Sequence, residues 1–186
     1  NVKFGFPGHH NLTNALLAFA MAKSYGVSND KIIAALASFK GVRRRFSFQI
    51  REEKLVYIDD YAHHPTEINA VHQAVRELYP NKKIIACFQP HLFSRTKDFI
   101  DGFAESLSQF DEILLLEIYP ARELPMEGVN SSWLLSKIKN ENKRLVTKEE
   151  LLTNFKNSDA NVFVTIGAGD IGEMVKDVKK VLNEKV

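Results

Sequence analysis

A chain of 186 residues, 45% hydrophobic and 26% charged, has room for one substantial core, or for one domain and a piece of another. Its 25 basic and 23 acidic residues leave a net charge of +2, without the one-sided positive field of a phosphate-backbone binder, which argues against nucleic acid as a partner. No apolar run approaches the roughly 20 residues of a membrane span, and no basic segment followed by an apolar stretch and a cleavage site opens the chain, so membrane insertion and secretion are not expected.

Residues 1–45 predict two helices and no strand. His9-His10-Asn11-Leu12-Thr13-Asn14 runs into an Ala-rich helix ending near Tyr25, with Gly26 as its stop. Asn11 and Asn14, three apart, share one face of its first turn. Ser28 or Asn29 starts a second helix, with Ile32, Ile33, Leu36 and Phe39 at helical spacing and Gly41 at its end. Two helices alone cannot enclose a core. With Asn rather than Met at position 1, this segment reads as the tail of a preceding domain, joined through Gly41-Val42-Arg43-Arg44-Arg45 to a domain over 46–186.

Beyond the joint, Phe46, Phe48 and Ile50 alternate with polar residues as a half-buried strand, Glu52-Glu53-Lys54 turns, and Leu55–Ile58 returns. Strands and helices then alternate. Ile68, Val71, Val75 and Leu78 mark a helix face that also carries His72, read as structural. Ile84–Phe88 predicts a buried strand, and one helix carries Phe99, Ile100, Phe103 and Leu107. A strand at Ile113–Leu116, a helix at Trp133–Ile138, a short strand at Leu145-Val146 and a helix at Leu151–Phe155 follow. Val162–Ile166 is the last strand, before a closing helix through Ile171, Met174, Val175, Val178 and Leu182. Continuous apolar runs imply strands covered on both faces, hence an α/β fold with a mainly parallel sheet flanked by helices. Cys87, the single cysteine, lies inside one such run and reads as a buried thiol of a protein from a reducing cytoplasm.

In a parallel sheet the loops after the strands gather on one edge, where open α/β folds place their ligands. Asp59-Asp60-Tyr61-Ala62-His63-His64-Pro65-Thr66-Glu67 is the densest polar stretch of the chain. Gln89-Pro90-His91-Leu92-Phe93-Ser94-Arg95-Thr96 puts an imidazole and a guanidinium beside a helix start, a set that suits a carboxylate or phosphate. Gly167-Ala168-Gly169 serves either as a tight strand-to-helix connection or as an approach for an anion. Asn11 and Asn14 suit either helix caps or a ligand, and the three arginines either a solvated joint or an anion. His63 and His64 lack the second histidine at helical spacing of the usual zinc motifs, so no metal site is expected.

Taken in order, His-Asn-x-x-Asn-Ala, Gly-Val-x-Arg-Arg-Phe, Asp-Asp-Tyr-Ala-His-His-Pro-Thr-Glu-Ile, Phe-Gln-Pro-His-x-Phe-Ser-Arg-Thr and Gly-Ala-Gly-Asp-Ile resemble the peptidoglycan amide-ligase family over essentially the whole chain. Phe88–His91 with Ser94-Arg95-Thr96 resembles its UDP-N-acetylmuramate:L-alanine members, and the tripeptide-recycling ligase of the same family is the alternative. A non-catalytic nucleotide- or anion-binding module is the reading from another class. The resemblance implies an enzyme of three domains, with a Rossmann-like C-terminal domain, in which ATP with Mg2+ converts the muramate carboxylate into an acyl phosphate that the amine of L-alanine attacks. It implies that His10, Asn11, Asn14, Arg45 and Asp60 contact the nucleotide. It also implies that Tyr61, His63, His91 and Arg95 face the amino-acid end of the substrate, with His63 and Arg95 serving catalysis. Leu92 stands where many relatives carry an arginine. These residues contain no Gly-x-x-x-x-Gly-Lys-Thr/Ser loop, so the phosphate-gripping lysine, the magnesium ligands and the UDP-sugar pocket are expected upstream, and this chain alone is expected not to ligate.

Overall fold

In the computed structural model, which describes Val2 and residues 4–185, two helices lead into an α/β sandwich. Helices α1 (His9–Ser24) and α2 (Asn29–Ser38) meet at Gly26, whose φ of +80° ends α1. Then follow β1 (Ser47–Arg51), β2 (Val56–Asp60), α3 (Pro65–Leu78), β3 (Ile84–Phe88), α4 (Phe93–Asp98), α5 (Ile100–Leu107), β4 (Glu112–Leu115), α6 (Ser131–Lys137), β5 (Lys143–Leu145), α7 (Lys148–Asn157), β6 (Val162–Ile166), a 3-10 turn (Asp170–Glu173) and α8 (Val175–Asn183).

The six-stranded sheet has the order β1-β2-β6-β3-β4-β5, parallel throughout except for the β1–β2 hairpin. Successive side chains of each inner strand enter opposite cores, as the two-residue period requires. Val56, Ile58, Ile84, Ala86, Val162 and Val164 pack against α3, α5 and α6 through Ile68, Val71, Phe103, Leu107 and Leu134. Tyr57, Ile85, Cys87 and Phe163 pack against α7 and α8 through Leu151, Phe155, Val178 and Leu182. The register aligns Asp60 and Phe88 with Ile166, and Phe88 with Leu115, so the loops after these four strands open on one edge.

Four sequence expectations are corrected. The strand expected to end at Ile58 continues through Asp60, because Asp59 pairs with Thr165 and Asp60 with Ile166. The alternation of Phe48 and Ile50 does not put them on one face: a bulge shifts the register between them, sending Phe48 to the α3 side and Ile50 to the α7–α8 side. The single helix expected through Phe99 breaks there, so that α5 comes close to α3, with Gly102 beside Pro65. The closing helix likewise begins as a separate 3-10 turn. α1 buries only Ala15 and leaves Leu12, Leu16, Leu17 and Met21 more than half exposed.

Candidate functional site

The joint between α2 and β1 is fastened by the two carboxylates that end β2. Asp60 accepts hydrogen bonds from Phe46 N at 2.6 Å and Ala62 N at 2.7 Å. Asp59 accepts from Arg44 Nε at 3.0 Å and from Thr165 Oγ1 at 2.9 Å, while Arg44 also donates to the Gly167 carbonyl at 2.6 Å. Thr165 in turn shares a hydrogen bond with the buried Tyr57 hydroxyl. Burial pushes the Asp60 carboxyl up to about 6, against the pull of the two backbone N–H groups and Arg45. Burial raises Asp59 as well, and Arg44 opposes it. These bonds hold Arg44 and Phe46 at φ +59° and +46°, conformations that cost an L-residue roughly 1–2 kcal/mol each. The arginine triplet thus divides: Arg43 is exposed, Arg44 turns inward, and Arg45 turns to a cleft.

That cleft, of about 910 Å³, lies between α1, α2 and the N-terminus of α3. Its walls carry His10, Asn11, Asn14, Arg45 and Asp60, the five residues singled out for a nucleotide, together with Thr66 and Glu67. Ala15, Ala18, Ile32, Leu36 and Val71 make its other surface apolar. Gly8, not an asparagine, is the N-cap of α1, and the Asn11 amide donates to the Pro7 carbonyl at 2.7 Å. Neither asparagine therefore caps the helix. Burial, Arg45 and His9 hold the His10 imidazole below its ordinary value.

Beside the cleft the loops after β2, β3 and β4 bring Tyr61, His63, His91 and Arg95 together. The Tyr61 and His63 rings lie edge to face with centroids 5.3 Å apart, and His63 lies 6.4 Å from His91. His91 is stacked on Tyr119 and meets Arg95 at 3.5 Å. His63 Nδ1 is 2.9 Å from the Tyr61 carbonyl and 3.4 Å from Glu67 Oε2. A carbonyl can only accept, so Nδ1 carries the proton, and in the neutral ring Nε2 is left as the proton acceptor. Burial first, then Arg95 and His63, push the His91 imidazole down. Arg95 has no carboxylate partner among the described residues, which leaves one guanidinium for an outside anion. Leu92, at φ +74°, stands at the N-cap of α4.

The glycine turn serves packing. A Cβ at Gly169 would stand 2.7 Å from Tyr119 Cβ, and one at Gly167 would stand 2.7 Å from the Gln89 carbonyl. Gln89 fills this space, donating to Asp170 at 2.7 Å and accepting from Ile171 N at 2.9 Å. Among the described residues no group of three or more His, Cys, Asp or Glu side chains is placed to hold a metal ion.

Four residues of the site escaped sequence reasoning. Arg44 looks like its neighbours in sequence, and Glu67 reads as an ordinary first-turn acid. Tyr119 and Glu123 lie in a loop without periodicity. Tyr119 supports His91, and Glu123 accepts from Ser94 N at 2.9 Å at the start of α4. The position of Glu67 three residues after His64, at the third residue of a Pro-started helix, was the available signal.

Comparison with known proteins gives the family of the chain. The family model described as "Mur ligase, glutamate ligase domain" matches residues 44–169. The UDP-N-acetylmuramate–L-alanine ligase of Flavobacterium psychrophilum is 73% identical over 185 residues, covering 100% of this chain and 41% of the relative. The enzyme of the same name from Porphyromonas gingivalis is 48% identical, with 97% and 40% covered. Among solved structures, UDP-N-acetylmuramate-alanine ligase from Thermotoga maritima superposes with a TM-score of 0.73 at 30% identity, over 99% of this chain and 39% of that one. A murein peptide ligase from Psychrobacter arcticus shares the fold, with a TM-score of 0.69 at 24% identity over 100% of this chain and 39% of that one. The chain thus spans about two fifths of the length of these relatives, and over that length it belongs to the Mur ligase family, as its glutamate ligase domain.

Proposed function

We propose that this chain is the C-terminal part of an ATP-dependent ligase that joins L-alanine to the muramate carboxylate of UDP-N-acetylmuramate. The observation that carries the reading is the adjacency, on one sheet edge, of a cleft lined by the asparagine pair and Arg45 to a cluster of two imidazoles and an unpaired guanidinium. Residues 1–45 are assigned to the end of the preceding ATP-binding domain, which fits the exposed apolar face of α1. The 73% identity to a relative named UDP-N-acetylmuramate–L-alanine ligase favours alanine as acceptor over the recycled tripeptide.

The residues fit the nucleoside part of ATP. Amide groups on Asn11 and Asn14 match the donor and acceptor edges of a purine, the alanines and Ile32 suit its faces, and Arg45 suits its anionic end. Among the described residues no carboxylate cluster fits magnesium, and none of these residues is assigned to it. Bound ATP supplies the phosphoryl group that makes the muramate carboxylate an electrophile. Arg95 pairs with the alanine carboxylate, and His91, supported by Tyr119, bounds the same space. His63 Nε2 accepts the proton that the alanine ammonium must lose before its nitrogen can attack.

Phosphate release by the full-length protein with ATP, Mg2+ and UDP-N-acetylmuramate tests the reading. Release that depends on L-alanine supports it. Release with the tripeptide alone gives the recycling activity, and no release with either acceptor leaves a nucleotide-binding module.

A further inference from the structure

Glu67 is the only acid that touches both halves of the site among the described residues. It stands at the third position of α3, where its Oε2 accepts from the backbone N–H of His63 at 2.8 Å and lies 3.4 Å from His63 Nδ1. Its other oxygen, Oε1, faces Arg45 NH1 at 3.8 Å. Arg45 is more than half exposed on a long side chain, and among the described residues Glu67 is the carboxylate within ion-pair distance of it, with buried Asp60 attracting it from farther off. The two oxygens of one helix-borne group therefore meet the nucleotide-side cation and the amino-acid-side imidazole.

We propose that Glu67 is a positioning residue that ties the two subsites together, one oxygen holding the His63 backbone N–H and so the place of its imidazole, the other keeping Arg45 at the cleft. This rests on the ligase reading for the roles of the two residues it holds. A carboxylate that capped α3 and did nothing else would be replaceable by any acceptor at that position. The bridge asks for more: negative charge toward Arg45 and full side-chain length to span both partners. Asp lacks the length and Gln lacks the charge.

The test is Glu67→Gln and Glu67→Asp in the full-length ligase, with Tm measured alongside kinetics. Both variants are expected to raise the KM for ATP about two- to fivefold, the scale of an exposed ion pair. They are expected to lower kcat about tenfold through loss of His63 orientation, at a Tm close to that of the parent. In an Arg45→Ala background, Glu67→Gln is expected to change the KM for ATP no further. Unchanged kinetics in both variants, or multiplying effects of Glu67→Gln and Arg45→Ala, would overturn the bridge and leave a helix cap. If Glu67→Gln does not fold, Glu67→Asp decides alone, and parental kinetics for it would likewise overturn the bridge. Calorimetric titration with ADP needs no turnover and separates this proposal from the ligase reading. Glu67-dependent ADP binding in a protein inactive with L-alanine would reject the ligase and keep the link between Glu67 and Arg45. An active ligase indifferent to Glu67 would do the reverse.

Discussion

Asp59 and Asp60 are adjacent carboxylates that face different partners, Asp59 an arginine and a hydroxyl, Asp60 two backbone N–H groups. With its carboxyl pushed up to about 6 from the usual 3.8, folded Asp60 retains a proton between pH 4 and 6 that the unfolded chain has released. This group therefore favours the folded state most below pH 4 and loses up to roughly 3 kcal/mol of that preference as pH rises through 6. Urea unfolding of the chain and of Asp60→Asn should show their difference moving against the wild type over that window. Arg95→Ala should raise the KM for L-alanine about 10- to 100-fold, the worth of a charge-assisted pair, with Arg95→Lys recovering part of it, as measured by phosphate release. The sequence marked His63, His91, Arg95 and the asparagine pair, since such residues cluster by chemistry. It hid the inward turn of Arg44, because side-chain direction at a left-handed residue has no signature in residue type.

At the scale of elements, close packing around the last strand sets the position of the imidazoles. Tyr119 reaches His91 across the space left free by Gly169, and Gln89 fills the rest. Gly169→Ala should therefore cost about 1–3 kcal/mol, a Tm loss of roughly 2–10 °C by calorimetry, and should weaken L-alanine use through displacement of Tyr119. The strands and most helices were legible from apolar runs and periodicity. The break at Phe99 was not, because the apolar spacing continues across it and only the approach of α5 to α3 ends α4 there. The bulge in β1 was equally hidden, since Phe48 and Ile50 are both apolar whichever core they enter.

At the scale of the whole molecule, burial on both faces announced a parallel sheet, but periodicity reports cover rather than neighbours, so the order β1-β2-β6-β3-β4-β5 could not be read. The exposed leucines of α1 fit the absence of a phosphate loop from these residues. The isolated chain should release no phosphate with ATP, Mg2+ and both substrates, and turnover by it would reject the assignment of the phosphate-gripping groups to an upstream domain. The carboxylate fastening of the joint divides its backbone in two. From Arg44 onward the chain is tied to the sheet through Asp59, Asp60 and the Tyr61 N–H, whereas Lys40 and Arg43 are exposed beside Gly41. Any swing of the two leading helices must then turn before Arg44, and trypsin, offered three consecutive arginines, should cut after Lys40 or Arg43, releasing a fragment whose mass begins at Gly41 or Arg44.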